Sequence, residues 1–413
     1  MAGLKSMLKN LFNSLFNRPL TKDQFAEHLI EAAREKGFTG PLEYRPEEFR
    51  IEHGDNSYLN LHNAFDEYQN ADKTEKPQIV ARYVTAFIHA SSAPSASSRT
   101  FEDTRALLRP VIRNLATYEE IRLNQIRSKG SDAPFEIAQR TFGKDCAVPL
   151  AVDYPDSLST LFNGIPDDWG ITLDEALSIA IRNLREETED RFEEVAPGLH
   201  VGRWNDGYDI SRVLLPDVLQ RIPLQGQPVF MMPTRDVLMV AGDKDEHGIR
   251  HMIEVCFQVI ETGCAVSSQL YTYQDENVVT FLPQDEDSQA RLATLERMLL
   301  QGEYDSQKTL LDALHEEQQE DVFVASYLLY KSDESGESTF SICSWAENVI
   351  TLLPKTDRVS LVQPLQDGTT HTRIVEWDEL ESRFGELMKP VTLYPIRYRV
   401  DGFPTAEQLG QLP

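Results

Sequence analysis

The residues of this chain best equipped for chemistry gather between positions 203 and 246. NDGYDISR holds Asp206, Tyr208, Asp209 and Arg212, and PTRD holds Arg235 and Asp236. An arginine in a tight turn can clamp a carboxylate or phosphate through its planar fork, with Asp236 as the orienting partner. Arg109 and Arg113 flank Pro110-Val111-Ile112; in one strand their even spacing would put both on the same face, where they could join that anion site. Each feature also has a plain reading. Adjacent opposite charges on a turn can be a solvated tip. Asn205-Asp206-Gly207 is ordinary turn chemistry, and Asp209 can cap a short helix carrying Ile210, Val213 and Leu214. Arginine stays protonated and cannot act as a general base, and the PTRD turn offers no Ser, Cys or His nucleophile. The group reads as recognition or structure, not as a bond-making centre.

Other chemistry is scarce. The chain contains no GxxxxGK[ST], no GxGxxG after a strand, no HExxH and no GxSxG. Its nine histidines are scattered, without the neighbouring partner that a catalytic histidine needs. Cys146, Cys256, Cys264 and Cys343 form no CxxC pair, which argues against structural zinc and for buried thiols in a reducing cytoplasm. Asp243, Asp245, Gly248 and Glu254 mimic a calcium loop, but His247 is a poor ligand for a hard ion and Arg250 adds repulsion. No metal and no cofactor is expected. Asp and Glu total 67 against 40 Lys and Arg, a net charge of −27, which repels nucleic-acid phosphates. No apolar run reaches the length of a membrane span, and the N-terminus lacks a secretory signal pattern.

These residues require a scaffold, and its periodicity is readable. PVFMM and VLMVAG are apolar at consecutive positions, which predicts two strands of a sheet covered on both faces, joined through Pro233-Thr234-Arg235-Asp236. Thr172 and Glu175 form a capping box before the stripe Leu173, Ala176, Leu177, Ala180, Ile181 and Leu184. A helix is expected near 249–260 and strands near 268–273 and 278–282. Upstream, a helix from Thr21 to Lys36, a hairpin around residues 54–57 and a helix over 76–91 make a small α-β-β-α module at 19–92. SSAPSASSRT follows as a linker. Residues 104–283 form a central α+β core. Residues 284–321, acidic and carrying two leucine-marked helices, read as a solvated connector. Residues 322–413 read as a mainly antiparallel β domain with a short helix: DVFVASYLLY is a strand, TLLP and RVSLV have the look of a hairpin, and VTLYPIRYRV is the last strand. The fold class is α+β: mixed helix and sheet modules followed by that C-terminal domain.

NDGYDISRVL followed by PTRDVLMVAG, with PVIRN at 110–114 and the capped helix at 172–187, resembles the YtpQ family of bacterial proteins over residues 21–283. No activity is established for that family, so the resemblance implies a kinship and no mechanism. Residues 1–18 and the region after residue 284 depart from it as additions.

Two functions follow as expectations. The first is a cytoplasmic, non-enzymatic interaction or regulatory protein with a protein partner. The second is an enzyme or a binder of small anionic ligands that uses the NDGYDISR and PTRD segments. Residues 1–18 place Leu4, Met7, Leu8, Leu11, Phe12, Leu15 and Phe16 on one helical face with a basic opposite side. Lys and Arg are each worth only about 1 kcal/mol at an anionic surface, so docking on protein is favoured over membrane contact. Deleting residues 1–18 should leave the core folded and change association. In liposome flotation at physiological salt, neither the intact chain nor the deletion should float.

Overall fold

A computed structural model describes residues 20–46, 49–53, 57–92, 100–130, 138–154, 157–162, 164–260, 265–275, 277–331, 339–365 and 367–411. The amphipathic segment 1–18, the hairpin tip at 54–56, most of the Ser/Ala linker and Cys264 lie outside the described residues. The described elements are α+β, and among them no helix is long and apolar enough to cross a membrane. The chain divides into two compact units, Met1–Thr104 with Val152–Ser159, and Arg105–Ala151 with Thr160–Pro413.

In the first unit the helix Lys22–Glu35 starts at a capping box, with Thr21 accepting from the Gln24 N–H and Gln24 accepting from Thr21. Three antiparallel strands follow, Glu43–Arg45, Arg50–His53 and Ser57–Asn60, then the helices His62–Asn70 and Lys76–Ser92. The strand Glu43–Arg45 and the helix His62–Asn70 were not expected. Phe25, Leu29, Phe49, Phe65, Val84 and Phe87 form the core of this unit.

The second unit is built around a six-stranded antiparallel sheet in the order Phe192–Ala196, Leu199–Gly202, Val237–Gly242, Pro228–Thr234, Tyr271–Gln274 and Asn277–Thr280. Every residue of Pro228–Thr234 is buried, because both faces are covered. On one side Met231, Met239 and Ala241 meet Ile249, Met252 and Ile253 of the helix Glu246–Val259. On the other, Phe230 lies among the rings of Phe142, Tyr271 and Tyr273. The expected four-residue connection is shorter in fact. The strand runs on through Pro233 to Thr234, which pairs with Val237 across a register shift, leaving Arg235 and Asp236 as the tip. Asp243 and Asp245, the first acids of the calcium-like pattern, are occupied by backbone: Asp243 accepts from the Gln227 N–H and Asp245 caps the helix through the Gly248 N–H.

Three further corrections shape the site. PVIRN does not stay extended, since Asn114 caps an unforeseen helix, Leu115–Lys129. The final run VTLYPIRYRV is not one strand but two, Lys389–Val391 and Arg397–Val400, folded back on each other. Residues 284–321 hold neither two helices nor a solvated connector: one 33-residue helix, Glu286–Gln318, buries Leu295, Glu303, Tyr304, Gln307, Leu311 and Leu314. Gln301-Gly302 does not interrupt it, because the flanking turns are anchored by packing, which outweighs glycine's weak helix propensity.

The C-terminal strands form two four-stranded sheets. TLLP and RVSLV, read in sequence as a hairpin, fall in different ones: Thr351–Pro354 pairs with Arg397–Val400, and Arg358–Pro364 lies parallel to Thr339–Ala346. Their connection, Lys355-Thr356-Asp357, is thereby freed to line a cleft. Arg397, fully buried, fastens the last strands to the long helix. Its guanidinium donates to Gln307 Oε1 at 2.5 Å and to the carbonyls of Ala325, Leu352 and Tyr304, and it lies 5.0 Å from the Tyr304 ring centroid. Burial lowers its pKa to about 10.

Gly302 has open space where a Cβ would sit and lies inside the long helix. Gly302→Ala should therefore stabilise the chain by about 0.5–1 kcal/mol, read from the denaturant midpoint. A destabilised variant would show that the backbone there is not helical.

Candidate functional site

The residues singled out from the sequence fall in separate places. Arg212 is fully buried and donates to both oxygens of Asp206, at 3.0 and 2.6 Å, and to Thr188 Oγ1 at 3.2 Å. Its guanidinium lies 4.3 Å from the Trp204 ring centroid. Burial opposes the Asp206 charge, but the Arg212 bonds and the Tyr208 N–H outweigh it and hold the carboxyl below its usual range. Asp209 does not cap the following turn, Ile210–Leu214. It accepts instead from the backbone N–H groups of Trp204 and Asn205, and burial pushes its carboxyl up. Tyr208 is buried beside them. NDGYDISR is thus a staple that locks a turn: Arg212 and Asp206 are paired and Asp209 Oδ1 is bonded to backbone, while its buried Oδ2 has no partner.

Arg109 and Arg113 share no face, because their strands, Leu108–Pro110 and Arg113–Asn114, belong to different sheets. Arg109 pairs with Glu187 at 2.5 Å and donates to the carbonyls of Ala106 and Leu108; Arg113 donates to the Ile112 carbonyl. Asp236 is exposed at the hairpin tip. Arg235, half-buried, acts on Glu120 of the helix Leu115–Lys129; burial raises the Glu120 carboxyl, and Ser306 and Arg235 partly offset this. The hairpin is not tied to the Asp206/Asp209 turn.

A different set of residues surrounds a cleft of about 500 Å³. One wall is the long helix, which presents Glu296, Arg297, Leu299, Leu300, Glu303 and Tyr304; opposite stand Lys355 to Asp357 and Leu393 to Ile396, with Lys144, Asp145 and Ser268 from the sheet side. Two of these carboxyls are buried. Asp145 accepts from Tyr271 Oη at 2.5 Å and from Ser267 Oγ at 2.8 Å, and the Cys146 thiol lies 3.3 Å away. Glu303 accepts from Asn114 Nδ2 at 2.7 Å through Oε1, while its Oε2 has no partner. Asn114 also caps its own helix and donates to the Val266 carbonyl, so it cannot turn away. Ser268 Oγ, likewise buried, has no partner.

The electrostatics follow from this geometry. Burial, and then the charge of Asp145, raises Glu303 to about 8. Burial raises Asp145 too, against the bonds from Tyr271, Ser267 and Cys146. The Tyr271 and Tyr394 phenols are pushed up by burial and by these acids, so both remain neutral donors. At the rim the cations are mostly engaged. Lys144 pairs with Glu296 at 2.5 Å, and Arg297 binds both oxygens of Asp357 at 2.8 and 3.0 Å. Lys355 makes no ion pair among the described residues.

Comparisons with protein-family models, curated proteins and solved structures return no match. The cleft must therefore be read from its own chemistry. It holds protonatable carboxyls, neutral hydroxyl donors and an aromatic wall that includes Tyr304, Tyr327 and Tyr394. The Cys146 thiol is buried and its pKa is pushed well up, first by burial and then by Asp145, which leaves it a poor nucleophile. Among the described residues no group of three or more His, Cys, Asp or Glu is arranged to hold a metal ion.

Sequence reasoning passed over Asp145, Glu303, Ser268 and Tyr394, yet one signal was present. Leu295, Leu299, Glu303, Gln307 and Leu311 step by four along one helical face. An apolar stripe interrupted by Glu and Gln marks a helix that carries polar groups inward.

Two outcomes are expected. Asp206→Ala should cost about 3 kcal/mol, because Arg212 is left charged and buried, whereas Asp236→Ala should change stability by less than about 0.5 kcal/mol; urea unfolding compares them. Glu303 binds its proton more tightly folded than unfolded. Its contribution is therefore fully present below the unfolded value near 4.5 and is lost as pH rises through about 8. The stability difference between wild type and Glu303→Gln should be flat below 4.5 and fall between 4.5 and 8. A flat difference across the whole range would contradict the assignment.

Proposed function

We propose that the chain is a cytoplasmic, non-enzymatic regulatory protein whose second unit binds a small molecule in the cleft beside the long helix. One observation carries this reading. The buried polar atoms Glu303 Oε2 and Ser268 Oγ have no partner, and both residues line a cleft of about 500 Å³. Leaving a buried polar group unpaired costs about 1–3 kcal/mol, a cost that is explained if a ligand supplies the missing bonds. The volume lies within the range of small-molecule sites.

Binding is favoured over bond-making by the state of the groups present: Ser267 donates to Asp145, a buried carboxyl that burial raises and so makes a poor acceptor of its proton, and no histidine is among the described residues that line the cleft. Residues 1–18, whose apolar side chains are spaced in sequence at helical intervals, belong to this proposal as the segment that meets a protein partner. The resemblance to the YtpQ family rests on NDGYDISRVL and PTRDVLMVAG with PVIRN and the capped helix at 172–187, and it supplies no activity.

The test is a thermal-shift screen of the full chain against a panel of polar metabolites, repeated on Ala293→Trp. Ala293 is half-buried on the long helix and lines the cleft, and it is not one of the buried core residues, so a large ring there should fill the space. Compounds that raise the Tm of wild type by several degrees should have no effect on Ala293→Trp. Hits that persist in the filled variant would place binding elsewhere.

A further inference from the structure

The cleft is unbalanced in charge, and the imbalance narrows what fits it. Asp145 and Glu303 receive only neutral donors: Tyr271, Ser267 and Cys146 for the first, Asn114 for the second. Of the cations nearby, Lys144 bears on Asp145, but its Nζ is bound by Glu296. Arg297 is held by Asp357, Arg235 acts on Glu120, and Lys355, which also lines the cleft, makes no ion pair among the described residues and bonds neither buried acid. The charges of Glu120 and Glu296 add to that of Asp145 in disfavouring an ionised Glu303. Among the described residues no cation is bonded to Glu303 or Asp145, and Glu303 Oε2 and Ser268 Oγ have no partner.

Building on the reading of the cleft as a ligand site, we propose that its ligand carries a protonated primary amine, received by Glu303 and Ser268, with an apolar or aromatic body against Leu299, Leu300, Tyr304 and Tyr394. An ammonium brings three donors and one charge. It can donate to the partnerless Glu303 Oε2 and Ser268 Oγ and offset the repulsion between the buried acids. A carboxylate or phosphate would instead be set against two carboxyls. A neutral alcohol would supply a donor but would give no reason for the Glu303 proton to leave. Binding displaces the Glu303 proton to solvent and leaves an ammonium–carboxylate pair; no bond between heavy atoms forms or breaks. Glu303 titrates near 8, so affinity should rise about tenfold per pH unit up to that value.

The experiment is titration calorimetry on the full chain with three matched probes: 2-phenylethylamine, 2-phenylethanol and 3-phenylpropionate. Each is run at pH 6.5 and pH 8 in two buffers of different ionisation enthalpy. The amine should bind about tenfold or more tightly at pH 8 than at pH 6.5, and should release close to one proton at the lower pH. Both effects should disappear in Glu303→Gln; the proton release of wild type stands by itself if that variant does not fold. Binding of the alcohol or the carboxylate without the amine, blocked by Ala293→Trp, would overturn the charge argument and leave the cleft as a ligand site. Amine binding without proton release would also overturn it. If no probe binds, or if binding survives Ala293→Trp, the inference falls, and in the second case the reading of the cleft falls with it.

Discussion

Glu303 is a carboxyl placed where its charge is expensive. It sits in the middle of a 33-residue helix, nine-tenths buried, and a single amide from Asn114 holds it. Much of the second unit is arranged around that constraint. The helix cannot turn Glu303 outward, because Leu295, Gln307, Leu311 and Leu314 fix the same face inward. Asn114 cannot leave, since it caps the neighbouring helix and bonds the Val266 carbonyl. Asp145 approaches from the sheet side, held by Tyr271 and Ser267, and adds its own charge to the problem. A low-dielectric site with two acids, to which no cation is bonded among the described residues, keeps protons that ordinary carboxyls give up.

Around this centre the cations of the unit are used as ties. Arg212 staples the NDG turn beneath Trp204, Arg397 fastens the terminal strands to the long helix, and Arg297 joins that helix to Asp357. Each arginine is bound in a planar fork or beneath a ring, geometries that lysine does not reproduce. Their use as structural ties leaves Lys355 as the rim cation without an ion pair among the described residues. The same arrangement that makes the fold specific leaves the cleft floor short of positive charge.

The sequence was a good guide to local structure and a poor guide to the site. The helix start at Thr21, the capping box at Thr172, the paired apolar runs PVFMM and VLMVAG, and the α+β class were legible because propensity, spacing and burial agree there. NDGYDISR and PTRD attracted notice because they are dense in charge. Dense charge at a turn is also what a structural staple needs, and Arg212 with Asp206 serves as one. The cleft was hidden for a different reason. Its residues come from positions 144, 268, 303, 357 and 394, brought together only by tertiary packing. The acidic composition of 284–321 disguised a core helix as a connector, although its four-residue stripe carried the contrary information. Strand breaks at 325–327 and 392–396 were passed over because DVFVASYLLY and VTLYPIRYRV are rich in β-branched and aromatic residues, although Pro395 marks the second, and there Arg397 bonds Gln307 of the long helix.

The account rests on a protonated carboxyl at the floor of the cleft. Its most direct test is a pH titration of the ligand-free chain by carbon-detected NMR of labelled glutamate side chains, with Glu303→Gln assigning the signal. The account predicts one glutamate with a midpoint near 8, lost in that variant. A Glu303 signal that titrates near 4.5 would contradict it, because the carboxyl would then be charged at neutral pH and the cleft floor would have no proton to exchange.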